Sequence, residues 1–342
     1  MNGMLMAGEM AEQPVRLRQL ITRFDEVAER VRAVAPAPLH GITIVARGSS
    51  DHAAVYGRYL LEAATGRPVS LAAPSLHTLY GVEVDYRGQL VIAVSQSGAT
   101  PEIVRTLQAL QDAGGCGLAI TNDAGSPVAQ AADVAIDLDV GEERAVPATK
   151  TVTGQLMAFA IVASALGRAG AVRFTRRELD TLPVGVQAVL DDSAPAAAAA
   201  QALAGASQLI VVARGYLYAA ALETALKIKE TCSLLADGYS AADLRHGPIA
   251  AVTSGLPVIA LCTSGPALAD MASLVEELRA RQASVLIVGD GEGADVWLPG
   301  EAPETLAPIL AVVRGQQLSY ELALRLGRDP DNPAGLTKVT PT

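Results

Sequence analysis

Apolar runs rich in β-branched residues alternate with amphipathic helical patterns along the first half of this chain. The runs predict strands at residues 41–46, 90–94, 117–121 and 134–138, and the helical periodicity predicts helices at 51–64, 101–113 and 149–166. Strands and helices that alternate in this way form βαβ units with parallel strands. The pattern therefore predicts an α/β domain built on a parallel sheet.

The same order of elements returns in the second half of the chain. Strands are predicted at residues 209–213, 257–261 and 283–288, and helices at 219–232, 267–281 and 305–326. Three pairs of matching positions at strand ends keep one spacing of 167 residues, namely Arg47 with Arg214, Ser97 with Ser264, and Ile120 with Ile287. A constant spacing of this kind indicates an internal duplication. We therefore predict two α/β domains of the same fold.

The predicted organisation has four parts. They are an N-terminal helical segment (1–30), a first domain (31–175), a second domain (200–328) and a C-terminal tail (329–342). The alanine-rich residues 195–205 are either a linker or the start of a helix, and alanine favours the helix. The tail has no periodicity, so composition alone predicts a loose segment there.

Composition and charge limit the partners of the chain. With 342 residues, half of them apolar, the chain is long enough for two cores, and its net charge of −10 argues against binding to nucleic acid or to an anionic membrane. No run of ~20 apolar residues could span a membrane, and the acidic N-terminus does not resemble a signal peptide. We therefore expect a cytoplasmic protein.

The cysteines and histidines indicate no metal site. Cys116, Cys232 and Cys262 lack metal or redox spacing, and their apolar neighbours suggest reduced, buried thiols. The four histidines are scattered along the chain, so no zinc signature is present. We expect neither a metal nor another cofactor.

Residues 95–100 (Ser-Gln-Ser-Gly-Ala-Thr) lie between a predicted strand and a predicted helix. The free backbone N–H groups and the positive end of the helix dipole favour an anion there, and the hydroxyl and amide groups can donate to it. Thr100 can cap the helix, with Pro101 at its first position. Taken alone, the loop is equally well explained as an ordinary capped βα turn.

Ligands of an open parallel sheet bind beyond the carboxyl ends of its strands. In the first domain this edge carries Gly48, Ser49 and Ser50, the 95–100 loop and residues 121–123, a hydroxyl-rich set that suits phosphate. No dinucleotide-binding or P-loop glycine motif is present. In the second domain Pro266 removes a donor from the matching loop, so we do not expect it to bind phosphate in the same way.

Glu223, Lys227 and Glu230 are spaced to share one helix face in the second domain. They form either a solvated face with an ordinary ion pair or a partly buried base whose pKa is shifted toward neutral, as proton abstraction beside a carbonyl requires. His246 follows in a loop. It is either a surface histidine or a group that transfers a proton to a sugar ring oxygen.

Five stretches carry a family resemblance. They are residues 6–14 with Glu9 and Glu12, the 95–100 loop, residues 146–150 (Val-Pro-Ala-Thr-Lys), residues 221–230 with 245–248, and residues 329–340 with Leu336 and Lys338. Together they resemble the sugar isomerase (SIS) domain family, and within it the isomerase half of glutamine–fructose-6-phosphate amidotransferases. The resemblance covers nearly the whole chain. It implies two tandem flavodoxin-like domains, each a doubly wound parallel sheet, and a C-terminal lid.

The resemblance also implies roles for individual residues. Those that would hold the substrate phosphate and neighbouring hydroxyls are Ser50, Ser95, Gln96, Ser97 and Thr100, and Val146 would line the sugar site. Glu230 would move a proton between C1 and C2 of the sugar, with Lys227 beside it. His246 would open the ring, reaching the active site of a partner subunit in a homodimer. Lys338 would fold over the sugar, where the amidotransferases form a Schiff base with the ketose.

Three departures separate the chain from the amidotransferases. Ala148 stands where they usually carry a serine, and Arg47 adds a charge near the first loop. No cysteine follows Met1 and nothing precedes the isomerase-like half, so we expect no glutaminase and no ammonia supply from glutamine. The leading hypothesis is therefore a deaminase that converts glucosamine 6-phosphate and water to fructose 6-phosphate and ammonia.

Other functions fit the same resemblance. A deglycase of amine-linked fructose 6-phosphates and a phosphosugar aldose–ketose isomerase are alternatives within the enzymes. A non-catalytic phosphosugar sensor could lose Glu230, His246 and Lys338, so the presence of all three favours an enzyme.

Overall fold

The computed structural model describes residues 2–300 and 302–338, which form two compact units. The first-sheet unit comprises residues 15–142 and 150–180. The second-sheet unit comprises residues 2–14, 143–149 and the described part of 181–338. Residues 339–342 of the predicted tail lie outside the described residues.

The helices and strands of the first half follow the predicted order. They are α1 (Met4–Thr22), α2 (Phe24–Val34), β1 (Gly41–Val45), α3 (Ser49–Thr65), β2 (Val69–Leu71), α4 (Pro74–Thr78), β3 (Gln89–Ser95), α5 (Pro101–Asp112), β4 (Cys116–Thr121), α6 (Pro127–Ala131), β5 (Val134–Asp137) and α7 (Lys150–Leu166). The N-terminal segment is thus helical, with a break at Arg23.

The second half repeats this succession. Its elements are α8 (Arg176–Leu179), α9 (Leu182–Asp191), α10 (Ala194–Leu203), β6 (Gln208–Ala213), α11 (Tyr218–Cys232), β7 (Leu235–Ser240), α12 (Ala241–Arg245), β8 (Pro257–Cys262), α13 (Leu268–Ala280), β9 (Ser284–Gly289), β10 (Val296–Trp297) and α14 (Ala307–Arg325). The alanine-rich stretch near residue 195 is a helix, as its composition favoured.

Both sheets are parallel and have five strands in equivalent order. The first runs β2-β1-β3-β4-β5 and the second β7-β6-β8-β9-β10. This is the doubly wound, flavodoxin-like order, and its repetition confirms the duplicated α/β fold. In each sheet the direction of winding reverses beside the first strand of the half, between β1 and β3 and between β6 and β8.

Three strands were missed by the apolar patterns: β2, β7 and β10. The first and last have three and two residues, and β7 reads Leu-Ala-Asp-Gly-Tyr-Ser, without an apolar run. All three lie at sheet edges, where one backbone side pairs with a neighbour and fewer side chains need burial.

Helix α3 packs against α7 in the first-sheet unit through a glycine. A Cβ atom at Gly57 would lie 2.5 Å from the ring of Phe159, which is fully buried. The opposite face of the sheet packs on α5 through an apolar cluster that includes Val91, Ile103 and Leu107. Both faces of this sheet are therefore covered.

Helix α11 packs against β7 and α14 in the second-sheet unit. A Cβ at Gly238 of β7 would lie 2.8 Å from the backbone of Leu222, and one at Gly315 of α14 would lie 2.1 Å from the hydroxyl of Thr224. These close approaches fix the position of the helix that carries Glu223, Lys227 and Glu230.

Within the described residues, no helix combines the length and the apolar character needed to cross a membrane. Cys116, Cys232 and Cys262 are free thiols, as predicted; Cys232 and Cys262 are buried as expected, whereas Cys116 is only half-buried. Burial raises the pKa of Cys232 and of Cys262 to about 11. These two thiols are thus protonated at neutral pH and poorly reactive.

Replacement of Gly57 by alanine tests the contact between α3 and α7. The added methyl group has to displace the buried ring of Phe159, so Gly57→Ala should lower the free energy of unfolding by about 1–3 kcal/mol in urea titrations. Gly8 of α1 is a matched control, because a Cβ there meets nothing within 4 Å. Gly8→Ala should be neutral or stabilise by up to about 1 kcal/mol. Equal effects of the two changes would contradict the close packing.

Candidate functional site

Hydroxyl-bearing loops gather at the carboxyl edge of the first sheet. Gly48 and Ser49 follow β1, and the 95–100 loop follows β3, on either side of the point where the winding reverses. Thr121 at the end of β4 pairs in register with Ser95. In open parallel sheets this reversal point is where ligands bind. The first-sheet unit therefore has a candidate anion site at this edge.

Three serines at this edge use their oxygen atoms as acceptors. Ser50 accepts from the side-chain amide of Gln155 at 2.9 Å, Ser95 from the N–H of Gly98 at 3.1 Å, and Ser97 from the N–H of Ala99 at 3.3 Å. A hydroxyl that accepts a hydrogen bond still has one hydrogen to donate. The three hydroxyl groups are thus arranged as donors.

The loop differs in two details from its prediction. The N–H groups of Gly98 and Ala99 are not open to a ligand, because Ser95 and Ser97 take them, so hydroxyl groups rather than these amides are the donors on offer. Thr100 lies at the N-cap position with Pro101 next to it, but its side chain makes no capping bond. Gly98 has φ +61°, and a Cβ there would lie 2.1 Å from the hydroxyl of Ser126.

The remaining predicted groups of this edge are partly accessible. Gln96 and Thr100 are half-buried, and Gln96 holds the loop through its carbonyl, which accepts from the N–H of Asn122 at 3.1 Å. Arg47 is paired with Glu102 of α5 at 2.9 Å. The extra charge of Arg47 is therefore offset by a carboxylate of its own unit.

The matching loop of the second sheet is filled by carboxylates of the chain itself. The N–H of Ser264 donates to both oxygens of Asp290, at 2.9 and 3.0 Å. The N–H of Ala267, at the start of α13, donates to Glu304, whose pKa burial nevertheless raises. Carboxylates occupy donors that a phosphate would need, which supports the expectation that this copy does not bind phosphate in the same way.

Lys227 is buried on α11 between two carboxylates. Its Nζ atom lies 3.4 Å from Oε1 of Glu223 and forms a short hydrogen bond with Oε2 of Glu230. The side chains of Lys227 and Glu223 are 0% and 1% exposed, whereas that of Glu230 is 21% exposed. The helix face is therefore not an ordinary solvated one, and Glu230 is its member that reaches solvent.

The carboxylates keep Lys227 charged. Burial disfavours its ammonium form, but the negative charges of Glu223 and Glu230, with a smaller contribution from Glu143, outweigh burial and raise the pKa of Lys227. A lysine in this state is a fixed positive charge and a hydrogen-bond donor rather than a base.

Lys338 of the C-terminal tail is held by residues of the 143–149 segment. Its Nζ atom donates to Oε2 of Glu143 at 2.9 Å and to the carbonyl oxygen of Ala145 at 2.7 Å. The other oxygen of Glu143 accepts from the backbone N–H of Thr149 at 2.9 Å. Val146, half-buried in the same segment, donates its N–H to the carbonyl of Asp331 at 2.9 Å.

The N-terminal helix supports this segment through Glu9. The carboxylate of Glu9 accepts from the N–H groups of Arg144 and Ala145. Burial raises the pKa of Glu9, helped by the nearby charge of Glu143 and opposed by these N–H groups and by Lys338. Glu9 binds the backbone of residues 144 and 145, and Ala145 in turn binds Lys338. These contacts bring residues that are far apart in sequence close together.

We name the acidic site as the linked set of Glu9, Glu143, Glu223, Glu230, Lys227 and Lys338. Electrostatic interactions join Glu143 to Lys227, and Glu9 to both Glu143 and Lys338. No motif in the sequence assigned a chemical role to Glu9 or Glu143. The only available signal for Glu143 was its position three residues before Val146.

His246 is not joined to the acidic site by any contact among the described residues of this chain. It follows α12, its backbone N–H bonds to Ala242 and Asp243, and its side chain is exposed. Its predicted role in a partner subunit stays a prediction. The other roles predicted for residues 48–50, 95–100, 146, 227, 230 and 338 also stay predictions.

The two halves of the duplication match a known family. The sequence model of the SIS domain fits residues 39–165 and 202–296. The chain belongs to the SIS domain family. The resemblance drawn from the five sequence stretches is thereby confirmed.

Relatives within and around this family extend over most of the chain. A glutamine–fructose-6-phosphate aminotransferase (isomerizing) of Symbiobacterium thermophilum is 36% identical over 356 residues, covering 97% of this chain but 58% of the relative. A solved structure from Silicibacter pomeroyi DSS-3, provisionally described as a phosphosugar isomerase, has a TM-score of 0.83 at 29% identity, covering 97% of this chain and 100% of that one.

A glucosamine-6-phosphate deaminase from Thermotoga maritima has the same fold. It superimposes with a TM-score of 0.73 at 21% identity and covers 96% of this chain and 100% of its own. This likeness concerns the fold alone. The chain itself spans little more than half the length of the aminotransferase relative.

The raised pKa of Glu9 predicts how stability depends on pH. The folded protein holds the Glu9 proton more tightly than the unfolded chain, so this contribution to stability is complete below pH 4.5 and is lost as the pH rises through the folded-state pKa. Glu9→Gln cannot titrate. Wild-type protein should therefore lose stability relative to Glu9→Gln as the pH rises above 4.5 in urea titrations.

Glu29→Gln is the control for this experiment, because Glu29 is exposed on α2. Its stability relative to wild type is measured over the same pH range as the reference for Glu9→Gln. A Glu9→Gln difference that is flat, or that moves in favour of wild type as the pH rises, would show that Glu9 is not held in this way.

Proposed function

We propose that this SIS-domain protein is an amino-sugar-phosphate deaminase, which converts glucosamine 6-phosphate and water to fructose 6-phosphate and ammonia. The observation that carries the proposal is Glu230, a carboxylate that reaches solvent while hydrogen-bonded to the buried ammonium of Lys227. Similarity to an isomerizing aminotransferase and to a structure described as a phosphosugar isomerase supports this class of chemistry.

Glu230 has the surroundings of a base for carbon acids. A carboxylate can move a proton between adjacent carbons if it reaches the substrate and stays in one position. Exposure of Glu230 provides the access, and Lys227, itself fixed by Glu223, provides the position.

The atoms of the proposed reaction balance with water as the only co-substrate. The ring opens, and Glu230 moves a proton from C2 to C1 of the open-chain amino aldose. The product is an imine at C2 with a hydroxyl at C1. Water then adds to C2, the C–N bond breaks, and ammonia leaves as the C2 carbonyl of fructose 6-phosphate forms.

The charge of the acidic site favours a substrate that carries an amine. Its members comprise four carboxylates and two ammonium groups. Even with Glu9 protonated, the carboxylates are in excess. An ammonium group at C2 offsets that excess, whereas the hydroxyl of an ordinary sugar does not. This distinction supports a deaminase over a plain aldose–ketose isomerase.

The phosphate is assigned to the carboxyl edge of the first sheet. Ser50, Ser95 and Ser97 lie at this edge, and no carboxylate among the described residues accepts a hydrogen bond from their hydroxyl groups. At the matching edge of the second sheet, by contrast, a carboxylate accepts the N–H of Ser264. Hydrogen bonds to a charged acceptor are stronger than those between neutral groups. We propose that these hydroxyl groups recognise the 6-phosphate.

Glu230→Gln tests the base. The variant keeps the size of the side chain but cannot accept a proton, so kcat for ammonia release from glucosamine 6-phosphate should fall about 10²–10⁴-fold. Glu276→Gln, on the exposed part of α13, should leave kcat unchanged. Urea titration confirms that both variants fold. If wild type releases no detectable ammonia but turns over glucose 6-phosphate or a glycated amine, the proposed reaction is wrong. The enzyme is then an isomerase or a deglycase, respectively.

Ser97→Ala tests the phosphate assignment. Loss of one hydrogen bond to a charged group costs about 1.5–3 kcal/mol, so KM for glucosamine 6-phosphate should rise about 10- to 100-fold with little change in kcat. The exposed Ser273→Ala is the control and should leave KM unchanged. With glucosamine, which has no phosphate, Ser97→Ala and wild type should have equal kcat/KM. An equal loss with both substrates would assign Ser97 to another part of the sugar.

A further inference from the structure

We infer that Glu143 is a positioning residue, which fixes Lys338 so that one N–H of its ammonium group is presented to a substrate oxygen. The chemical part of this inference rests on the proposed function, because it needs a substrate to which Lys338 can donate. Its geometric part, the immobilisation of Lys338 by Glu143, stands on the contacts of the second-sheet unit.

Glu143 is completely buried and is held at both carboxylate oxygens. Oε1 accepts from the backbone N–H of Thr149 at 2.9 Å and lies 3.4 Å from its hydroxyl, and Oε2 accepts from Lys338 at 2.9 Å. The Lys338 side chain is 22% exposed, whereas that of Glu143 is 0% exposed. The carboxylate is thus the fixed member of the pair and the lysine the member that can meet a ligand.

Two of the three N–H bonds of the Lys338 ammonium group are directed by the protein. One goes to Glu143 and one to the carbonyl of Ala145, at 2.7 Å. An ammonium group has three donors, so one remains for a substrate oxygen. During transfer of a proton between C2 and C1, negative charge develops on the sugar oxygen next to the reacting carbon. A donor already in position stabilises that charge without rearrangement.

Other charged groups face the same pair. Glu9 interacts with Lys338 and with Glu143, and Glu143 interacts with Lys227. Glu143 therefore acts on both lysines of the acidic site. Its removal would loosen Lys338 directly, whereas Lys227 would keep its two partners on α11.

The first experiment compares Glu143→Gln with Glu142→Gln. Glu142 is the adjacent residue and is exposed, so the pair differs in burial and not in residue type. We expect kcat for ammonia release to fall about 10- to 100-fold in Glu143→Gln, with KM for glucosamine 6-phosphate within about twofold of wild type. Glu142→Gln should match wild type. Glu143→Asp keeps the charge and should recover part of kcat.

The second experiment does not depend on the reaction. The folded protein is methylated with formaldehyde and cyanoborohydride, and the modification of Lys338 is measured by peptide mass spectrometry relative to the exposed Lys229. An amine engaged by two acceptors reacts slowly. The ratio should rise about fivefold in Glu143→Gln, as expected for loss of one hydrogen bond of average strength, and should stay unchanged in Glu142→Gln.

The two experiments separate the possible failures. If wild type has no deaminase activity, the proposed function is overturned. If the methylation ratio still rises in Glu143→Gln, the immobilisation of Lys338 by Glu143 is retained. An unchanged ratio in Glu143→Gln, or an unchanged kcat in an active enzyme, overturns the positioning role. If urea titration shows that Glu143→Gln is unfolded, Glu143→Asp is used in both assays. The shortened side chain of Glu143→Asp cannot keep both contacts. If this variant has the methylation ratio and the kcat of wild type, the inference is likewise overturned.

Discussion

The charge of Lys227 has to be balanced inside the protein, because its ammonium group is completely buried. Burying an unpaired ion costs several kcal/mol, and Glu223 and Glu230 supply the balancing charges from the same face of α11. The balance holds only while α11 keeps its place against β7 and α14. Gly238 and Gly315 have no side chain, so β7 and α14 can approach α11 closely. The charged face of α11 therefore depends on two glycines in the neighbouring elements.

The duplication repeated a fold but not its chemistry. At the edge of the first sheet, serine oxygens accept hydrogen bonds from the backbone N–H groups, and the hydroxyl hydrogens of these serines stay available to donate. At the matching edge of the second sheet, Asp290 and Glu304 occupy the N–H groups with negative charges. A phosphate would there meet both occupied donors and electrostatic repulsion. The same fold thus carries serine hydroxyl groups at one edge and carboxylates at the other.

The sequence predicted the parts of the fold that apolar burial determines. Central strands appear as β-branched runs, whereas β7 forms because its backbone pairs with β6, which a pattern of side chains does not show. The spacing of Glu223, Lys227 and Glu230 showed that they share a face but not that the face is buried. Glu142 and Glu143 are adjacent and identical in type, yet one is exposed and the other buried. Only tertiary structure distinguishes such neighbours.

The C-terminal tail shows why composition was a poor guide to its order. Its apolar Leu336 is 45% exposed, although two of its prolines are buried. Polar contacts add to this burial: the carboxylate of Asp331 accepts the N–H groups of Leu5 and Met6 at the start of α1, and Lys338 donates to Glu143. Each charged contact contributes about 1.5–3 kcal/mol, against about 1–2 kcal/mol for ordering each residue. The placement of Lys338 is therefore determined by individual charges rather than by a core.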